Sequence, residues 1–270
     1  MTDAAGDRER DTLLAVLDGA ASPVRFWWRD DDAHDVTPAL ERLMSLRRRH
    51  GIPLALAVIP ARATKRLADR IADEAQITVL QHGWQHGRHA PPGAKEAEFG
   101  DHRPLPEMLA ELNRGRKILE GLFPTNFLPV LVPPWNRVGE NLRRARQEAG
   151  LPGISGFRQR PPADHHTANA HIDPIAWMSS RSALSREELF RYLRMQVETR
   201  LTGTAGPIGI LSHHLVQDEA VWQVLDEIFK TLRSVRRAEW PTTASVFALG
   251  QPVGTAIASP WIHATSRGSD

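Results

Sequence analysis

Seven short apolar runs alternate with longer segments of helical period, and this alternation limits the fold more than any other feature of the chain. A strand followed by a helix and then by another strand is typical of βα units around a parallel sheet. We predict strands at residues 24–29, 54–59, 77–81, 127–132, 153–157, 172–176 and 208–211. Helices are predicted at residues 38–50, 63–75, 106–122, 140–149, 185–202 and 218–235. The pattern therefore predicts an α/β fold.

The length of the chain favours one domain. Of its 270 residues 41% are apolar and 24% are charged, so it can bury a core, and disordered and fibrous classes are excluded. Single α/β barrels commonly reach about 250 residues. We expect one domain over residues 1–249, with its core at 24–215, and an irregular tail at 250–270. Residues 87–104 and 158–170 also lack periodicity, and long loops in compact domains are often functional.

Composition argues against several classes of partner. The net charge is only +2, and the sequence pI of about 9.4 reflects a chain with four Lys, one Tyr and no Cys, in which few groups titrate between pH 7 and 10. With no recognisable binding motif, a nucleic-acid partner is not expected. The acidic amino terminus is unlike a secretory signal, and no run approaches the ~18 apolar residues of a membrane span. We therefore expect a cytoplasmic protein without a membrane partner.

Polar clusters follow four of the predicted strands at the points where the strands end. In a parallel barrel the carboxyl ends of the strands form one rim, and active sites form on that rim. We therefore expect these clusters to converge on one pocket. They are Asp30-Asp31-Asp32, His82 with His86, Pro133-Pro134-Trp135-Asn136, and His213-His214.

The histidine pair and the acidic triplet together indicate a metal site. His82 and His86 are four residues apart, a spacing that lets both imidazoles bind one metal. A carboxylate of the triplet would be the third ligand. The alternative interpretation of the triplet is a turn that caps the helix beginning near Pro38. The site is not of the His-Glu-x-x-His type, because residue 83 is Gly.

The late histidine doublet lies on the same predicted rim. A histidine beside a metal is a natural general acid, and the residues alone leave open whether His213 or His214 acts. Asp173 of the sixth strand would hold such a histidine. Trp177 is either a core residue or a wall for a substrate methyl group.

Taken in order, these motifs resemble those of the polysaccharide deacetylase family, the NodB-homology carbohydrate esterases of family 4. The resemblance spans about residues 24–215. Trp28-Arg-Asp-Asp-Asp32 resembles the first motif, an apolar strand ending in Asp-Asp, and His82-Gly-Trp-Gln-His86 resembles the second, His-(Ser/Thr)-x-x-His. Val132-Pro-Pro-Trp135 is similar to Arg-x-Pro-(Tyr/Phe), Asp173-Pro-Ile-Ala-Trp177 to an Asp followed by Trp, and Leu211-Ser-His213 to Leu-x-His.

The resemblance implies a fold and a set of roles. The fold would be a distorted seven-stranded (β/α) barrel. The cofactor would be a divalent metal, usually zinc, held by Asp32, His82 and His86. The resemblance also implies Asp31 as general base and His213 as general acid, with the following residues supporting them or the substrate: Pro134, Trp135, Asp173, Trp177 and His214.

The chain departs from the family motifs at several positions. Val132 stands where the family has the Arg that pairs with the base, so Arg29 or Arg137 would have to replace it. Asp30 makes the register of base and metal ligand ambiguous by one residue. Ala33 follows the acidic triplet where the family has Gly, and Ala176 precedes the motif tryptophan where a second Asp is common.

The function predicted from these residues is that of a metal-dependent hydrolase. It would remove the acetyl group of an N-acetylated sugar or sugar conjugate, a small molecule or oligosaccharide, by attack of metal-activated water. A backbone N–H near the Pro133-Pro134 turn would stabilise the oxyanion, and Trp84 and Trp135 would form the apolar wall of the acyl pocket. Two alternatives stay open: hydrolysis of another non-peptide C–N bond, such as a cyclic amide, and a degenerate member that binds carbohydrate without turnover.

Overall fold

A computed structural model of the chain describes residues 3–158, 166–203 and 206–250. Within these ranges it contains eight strands and eight α-helices. The strands are β1 (Val24–Ala33), β2 (Leu54–Val58), β3 (Ile77–His82), β4 (Phe127–Val132), β5 (Gly153–Ile154), β6 (Ala170–Ile172), β7 (Ile208–Ser212) and β8 (Ala238–Glu239). The helices are α1 (Ala4–Asp18), α2 (Pro38–His50), α3 (Lys65–Ile71), α4 (Leu105–Leu122), α5 (Glu140–Ala145), α6 (Arg186–Leu201), α7 (Glu219–Arg233) and α8 (Thr243–Val246).

The strands form one parallel sheet in the order β5-β4-β3-β2-β1-β7-β6, and β8 pairs with the beginning of β1. Two isolated parallel bridges, Ile154 to Thr167 and Phe157 to Ala170, join the two ends of this order. The sheet therefore curls round on itself with helices on its outside. The predicted α/β architecture, a distorted barrel of seven strands, is confirmed.

Alternation along the strands separates two apolar layers. On β1, Phe26 and Trp28 pack in the layer beneath the helices, whereas Trp27 packs in the barrel interior. The Phe247 ring, directly after α8, packs edge-on against Trp27 with 5.4 Å between ring centroids. Because Trp27 lies early in β1, this C-terminal segment fills the barrel away from the carboxyl ends of the strands, and those ends are left for polar side chains.

The sixth strand lies earlier than predicted, at Ala170–Ile172 rather than at residues 172–176. Pro174 has no N–H to donate to a neighbouring strand. The Asp173 carboxylate also accepts the N–H of Ile175 at 3.0 Å, which takes a second donor away from the sheet. The chain therefore leaves the sheet at Asp173. The fifth strand is likewise shorter than the predicted 153–157, with only an isolated bridge at Phe157.

Helix ends agree with the local signals in the sequence, with exceptions. Ser185 and Glu188 form the predicted capping box of α6, and Gly51 and Gly150 adopt the left-handed conformation that ends a helix. Helix α3 is shorter than the predicted 63–75, and the second half of 140–149 is a 3₁₀ turn. Helix α1 was not predicted; its apolar face packs on α6, with Leu13 and Leu17 fully buried.

Residues 87–104 form an irregular loop up to the start of α4, as predicted. Residues 159–165 of the second predicted loop, and 251–270 of the predicted tail, lie outside the described residues. Among the helices that are described, none has both the length and the apolar character needed to cross a bilayer.

Candidate active site

The ends of β1, β3, β4 and β7 lie at one rim of the barrel, as their sequence positions predict. Asp30 pairs in register with Ser212 of β7, and His82 pairs with Val132 of β4. The polar residues that follow these strands therefore start from neighbouring points, even though they are distant in sequence.

The three adjacent aspartates point in different directions because β1 is bulged at its end. Asp31 continues the inward face begun by Trp27, and Asp30 lies on the outer face with Trp28. The register between β1 and β2 shifts between Asp30 and Ala33, and Asp32 has a φ of 73°. A bulge of this kind redirects a side chain. As a result Asp32 turns towards β3, beside the inward-facing Asp31.

Asp32, His82 and His86 form a group of potential metal ligands. Oδ1 of Asp32 is 3.0 Å from Nε2 of His82 and 3.4 Å from Nε2 of His86. One ligand atom from each residue lies within 4.8 Å of the others. The three predicted ligands are thus brought together.

The hydrogen bonding of His82 shows that this group fits a cation. Nδ1 of His82 is 3.0 Å from the Val132 carbonyl oxygen, so Nδ1 carries the hydrogen and donates it. A neutral His82 then directs the lone pair of Nε2 at the Asp32 carboxylate, and two lone pairs cannot face each other at 3.0 Å without a proton or a metal between them. Two imidazoles and one carboxylate are a donor set typical of catalytic zinc.

The charges within the group are consistent with metal ligands. Burial by itself would raise the pKa of Asp32, but the hydrogen bond to His82 and the charges of His82, His213 and His86 outweigh burial and hold that pKa well below its usual range. Burial, followed by the charge of His82, lowers the pKa of His86. Burial lowers the pKa of His82, but the hydrogen bond to Asp32 and the charges of Asp31 and Asp32 outweigh burial and raise it. The lowered pKa of Asp32 favours the anionic carboxylate that binds metals. The raised pKa of His82 shows that this group attracts positive charge, which a proton or a metal ion can supply.

Asp31 is held by Arg29 from the same face of the same strand. Nε of Arg29 lies 2.9 Å from Oδ1 of Asp31, and Nη2 donates to Oδ2 at 3.0 Å. The remaining donors of Arg29 contact Ser155 and, at 2.7 Å, Oδ1 of Asn136. Both members of the ion pair are buried. Of the two arginines that could replace the missing motif arginine, Arg29 contacts Asp31, whereas Arg137 donates to the Glu96 carbonyl.

His213 lies between Asp173 and Trp177. Its Nδ1 is 4.0 Å from Oδ2 of Asp173, and its ring packs edge-on against the Trp177 ring with 4.9 Å between centroids. Nε1 of Trp177 donates to Oδ2 of Asp173 at 2.7 Å. Burial raises the pKa of Asp173 despite the opposing charge of His213. His213, Asp173 and Trp177 thus form the cluster that their order in the sequence predicts.

His214 points away from this cluster and forms a separate buried pair with Asp30. Nδ1 of His214 is 2.5 Å from Oδ1 of Asp30, and both side chains are completely buried. The Ser212 hydroxyl and the His214 backbone N–H donate to the other oxygen of Asp30. Asp30 therefore ties the end of β7 to β1. Of the other two aspartates in the triplet, Asp31 contacts Arg29 and Asp32 contacts the histidines.

The turn after β4 borders the site. Trp135 and Asn136 have φ values of 54° and 55°, a costly backbone conformation for residues with side chains. This turn places the Trp135 ring 4.2 Å from the His86 ring. Pro134 is buried beside Gly83. The prediction that Trp84 also lines the acyl pocket is not supported, because its ring packs on the apolar layer beneath the helices.

Sequence reasoning missed two residues that hold the site. Ser155 contacts Arg29 and directly follows β5, so the rule that polar groups at carboxyl strand ends face the site would have selected it. Glu98 is completely buried and accepts backbone N–H groups from Trp84, Gln85 and Gly87. It lies within an irregular loop, where no periodic pattern marks it.

The comparisons with known proteins differ between sequence and structure. No family model matches the sequence, and no curated protein matches it. A family 4 acetyl xylan esterase from Clostridium thermocellum, solved with a cobalt ion, is 15% identical with a TM-score of 0.53, and the match covers 83% of this chain and 90% of that one.

Two further structures give similar matches. A peptidoglycan N-acetylglucosamine deacetylase is 16% identical with a TM-score of 0.55, covering 86% of this chain and 91% of that one. A CE4 family pseudoenzyme from Bacillus anthracis is 12% identical with a TM-score of 0.51, covering 81% of this chain and 64% of that one. Together with the curled parallel sheet, these matches show that the chain has the fold of the family 4 carbohydrate esterases.

Proposed function

We propose that the chain is a metal-dependent deacetylase of the family 4 carbohydrate esterase type, acting on an N-acetylated sugar or sugar conjugate. One observation carries the proposal: the Asp32, His82 and His86 group lies beside a second aspartate, Asp31, that a buried arginine holds. A ligand set and an acid-base residue in this arrangement suit hydrolysis of an acyl group. The motif resemblance and the shared fold support the same conclusion.

Asp32, His82 and His86 would hold the divalent metal. When bound, such a metal polarises an acyl carbonyl and lowers the pKa of water from ~15.7 towards about 7. Zinc is the ion we expect from this donor set. Support for a divalent ion also comes from the acetyl xylan esterase, which was solved with cobalt.

Asp31 would act as the general base, because its pairing with Arg29 aims the carboxylate at the rim beside Asp32. His213 would act as the general acid and give a proton to the departing amine nitrogen. The Asp173 carboxylate, 4.0 Å from Nδ1 of His213, would orient the imidazole for this role. Each positioned proton transfer of this kind typically contributes about 10²–10⁴-fold to the rate.

The backbone after β4 would stabilise the developing oxyanion. Pro133 and Pro134 have no N–H, so the first donor in this turn is the N–H of Trp135. The Trp135 ring, already packed on His86, would contact the acetyl methyl group. Trp177, which is 37% exposed, offers a second aromatic surface to the sugar.

The substrate we propose is a soluble N-acetylated sugar or short oligosaccharide. One of the fold relatives is a peptidoglycan N-acetylglucosamine deacetylase, which supports an N-acetyl sugar over another C–N bond. The cytoplasmic location expected from the sequence stays a prediction.

The test is acetate release from N-acetylglucosamine and its short oligomers by the zinc-loaded protein. Asp31→Asn should lower kcat by about 10²–10⁴-fold while zinc binding, measured by calorimetry, is unchanged. His82→Ala should lose both. The control is Asp69→Asn, which removes an exposed carboxylate on α3 that pairs with Lys65 and should leave both quantities unchanged.

Two results would overturn the proposal. A wild-type protein that binds zinc but releases no acetate would favour the cyclic-amide substrate or a carbohydrate-binding role without turnover. A wild-type protein that binds no divalent metal would remove the basis of the catalytic assignment.

A further inference from the structure

The two histidine ligands are placed by different means. His82 is the last residue of β3, and its Nδ1 is tied to the Val132 carbonyl of the neighbouring strand. His86 lies in the loop after β3, with a φ of 60°. Its distance from Asp32 and His82 therefore depends on the conformation of residues 83–87.

Glu98 holds this loop from beneath. One of its carboxylate oxygens accepts the N–H groups of Gln85 at 2.8 Å and Gly87 at 3.0 Å, and the other accepts the N–H of Trp84 at 3.0 Å. Glu98 is completely buried. Bonds from N–H groups to a charged acceptor are about twice as strong as neutral ones, and burial removes competition from water. These three donors flank His86 on both sides.

The missing side chain of Gly83 leaves the space that the Glu98 carboxylate occupies. A Cβ atom at residue 83 would lie 2.1 Å from Oε2 of Glu98 and 2.7 Å from Cδ of Pro134, and the φ of 59° at this position also disfavours a side chain. The carboxylate thus occupies the space that a side chain at residue 83 would fill. Gly83 is also the position where the motif resembled by this sequence has Ser or Thr.

Glu98 is itself fixed in place. Nη1 of Arg103 donates to the Glu98 carbonyl at 3.1 Å, and the same guanidinium pairs with both oxygens of Glu111. The next residue, Phe99, is fully buried and accepts the N–H of Gly139 at 2.6 Å. The carboxylate is therefore a rigid support for the loop.

We propose that Glu98 is a positioning residue for the metal site: by accepting three N–H groups of residues 84–87, it fixes His86 at binding distance from Asp32 and His82. The inference rests on the proposed metal-dependent function. Substitution of a residue that orients metal ligands typically lowers metal affinity by about 10–100-fold.

The experiment measures Zn²⁺ affinity by calorimetry on full-length protein stripped with a chelator. Glu98→Gln has nearly the same shape, but its single oxygen cannot accept from all three donors, because its NH₂ group is itself a donor. We expect it to weaken Zn²⁺ binding about 10-fold or more. The matched control is Glu96→Gln, which removes the same charge two residues away, where the carboxylate is 40% exposed and lies 3.7 Å from Arg88. It should leave the affinity unchanged.

A double-variant cycle separates positioning from a general effect on folding. If Glu98 acts through His86, then Glu98→Gln should cause no further loss of affinity in a His86→Ala background. Equal zinc affinities for the wild type and Glu98→Gln would overturn the role of Glu98 but leave the proposed function standing. So would an undiminished effect of Glu98→Gln in the His86→Ala background. Absence of zinc binding by the wild type would overturn the proposed function, and this inference with it.

Hydrogen exchange on the wild type gives a test that does not depend on how a variant folds. The backbone N–H groups of Trp84, Gln85 and Gly87 should be protected in the metal-free protein, because Glu98 already holds them. Rapid exchange of these three groups before zinc is added would contradict a preformed loop and overturn the inference.

Discussion

Arg29 and Asp31 lie two residues apart on β1, so both side chains point into the barrel from the same face of the strand. There they form a buried ion pair that Ser155 and Asn136 complete on its far side. In the motif that the chain resembles, the arginine would stand at the end of β4, where this chain has Val132. The arginine that pairs with Asp31, the proposed base, is thus supplied by β1 rather than by β4.

Loss of Arg29 should be costly for stability. Arg29→Met would leave Asp31 buried without its cation, and breaking a buried pair from one side typically costs about 3–5 kcal/mol. Urea unfolding measures the change. The control is Arg42→Met, whose pair with Glu219 lies at the surface with the arginine 44% exposed; exposed pairs contribute about 0–1 kcal/mol. Similar losses for the two variants would contradict a buried Arg29–Asp31 pair.

At the scale of elements, the end of β1 does more than any other element to form the site. Its alternation sends Asp30 to the helix side and Asp31 inward, and its bulge then turns Asp32 towards the histidines. One strand end thereby supplies a structural carboxylate, a candidate base and a candidate metal ligand. The backbone strain at Asp32 lies where the proposed function needs it.

The bulge predicts an unusual order of stability for two substitutions at Asp32. In the presence of a chelator, Asp32→Gly should be more stable than Asp32→Ala by about 1 kcal/mol, because a residue with a Cβ atom is strained at a φ of 73°. Both variants lose the same carboxylate, so the comparison isolates the backbone.

The control for this order is the same pair of substitutions at Arg48 on the exposed side of α2. There Ala should be more stable than Gly by about 1 kcal/mol, as in any helix interior. Urea unfolding of the four variants gives the answer. If Asp32→Ala were more stable than Asp32→Gly, the end of β1 would not be bulged in this way.

At the scale of the whole molecule, the barrel is apolar at one end and charged at the other. Trp27 and Phe247 pack together inside the barrel, and Arg29, Asp31 and His82 follow towards the carboxyl ends. Apolar packing inside the barrel and beneath the helices thus stabilises the fold. The polar groups of the rim, in contrast, lose contact with water and bring like charges close together, which costs stability. A bound cation would relieve part of that cost.

Metal removal should therefore lower the stability of the whole chain. A ligand that binds only the folded state adds about 2.7 kcal/mol when its free concentration is 100 times its Kd. Thermal unfolding should show a Tm that rises with zinc and falls again when a chelator is added. In His82→Ala zinc should have no effect. A Tm that does not respond to zinc in the wild type would contradict binding to the folded state at this site.

Much of this arrangement follows from the sequence, since polar residues after apolar strands predict which groups meet at the rim. The direction of Asp32 could not be predicted, because the bulge there breaks the alternation that orients Asp30 and Asp31. The choice of Arg29 over Arg137 depended on which side chain reaches the barrel interior. Sequence patterns could not identify Glu98, because its hydrogen-bond partners lie 11–14 residues away across an irregular loop. The position of β6 could not be predicted, because it depends on Pro174 and on the hydrogen bond from the Ile175 N–H to the Asp173 carboxylate.

The most direct test of the central claim is an anomalous difference map at the zinc edge, from crystals of the wild type grown with zinc. We predict one strong peak in contact with Asp32, His82 and His86, with a carboxylate distance of about 2.0–2.2 Å and imidazole distances of about 2.0–2.1 Å, and with Asp31 and His213 near it but not bound. A map without a peak at these three residues, or with zinc bound at Asp30 and His214 instead, would contradict the account.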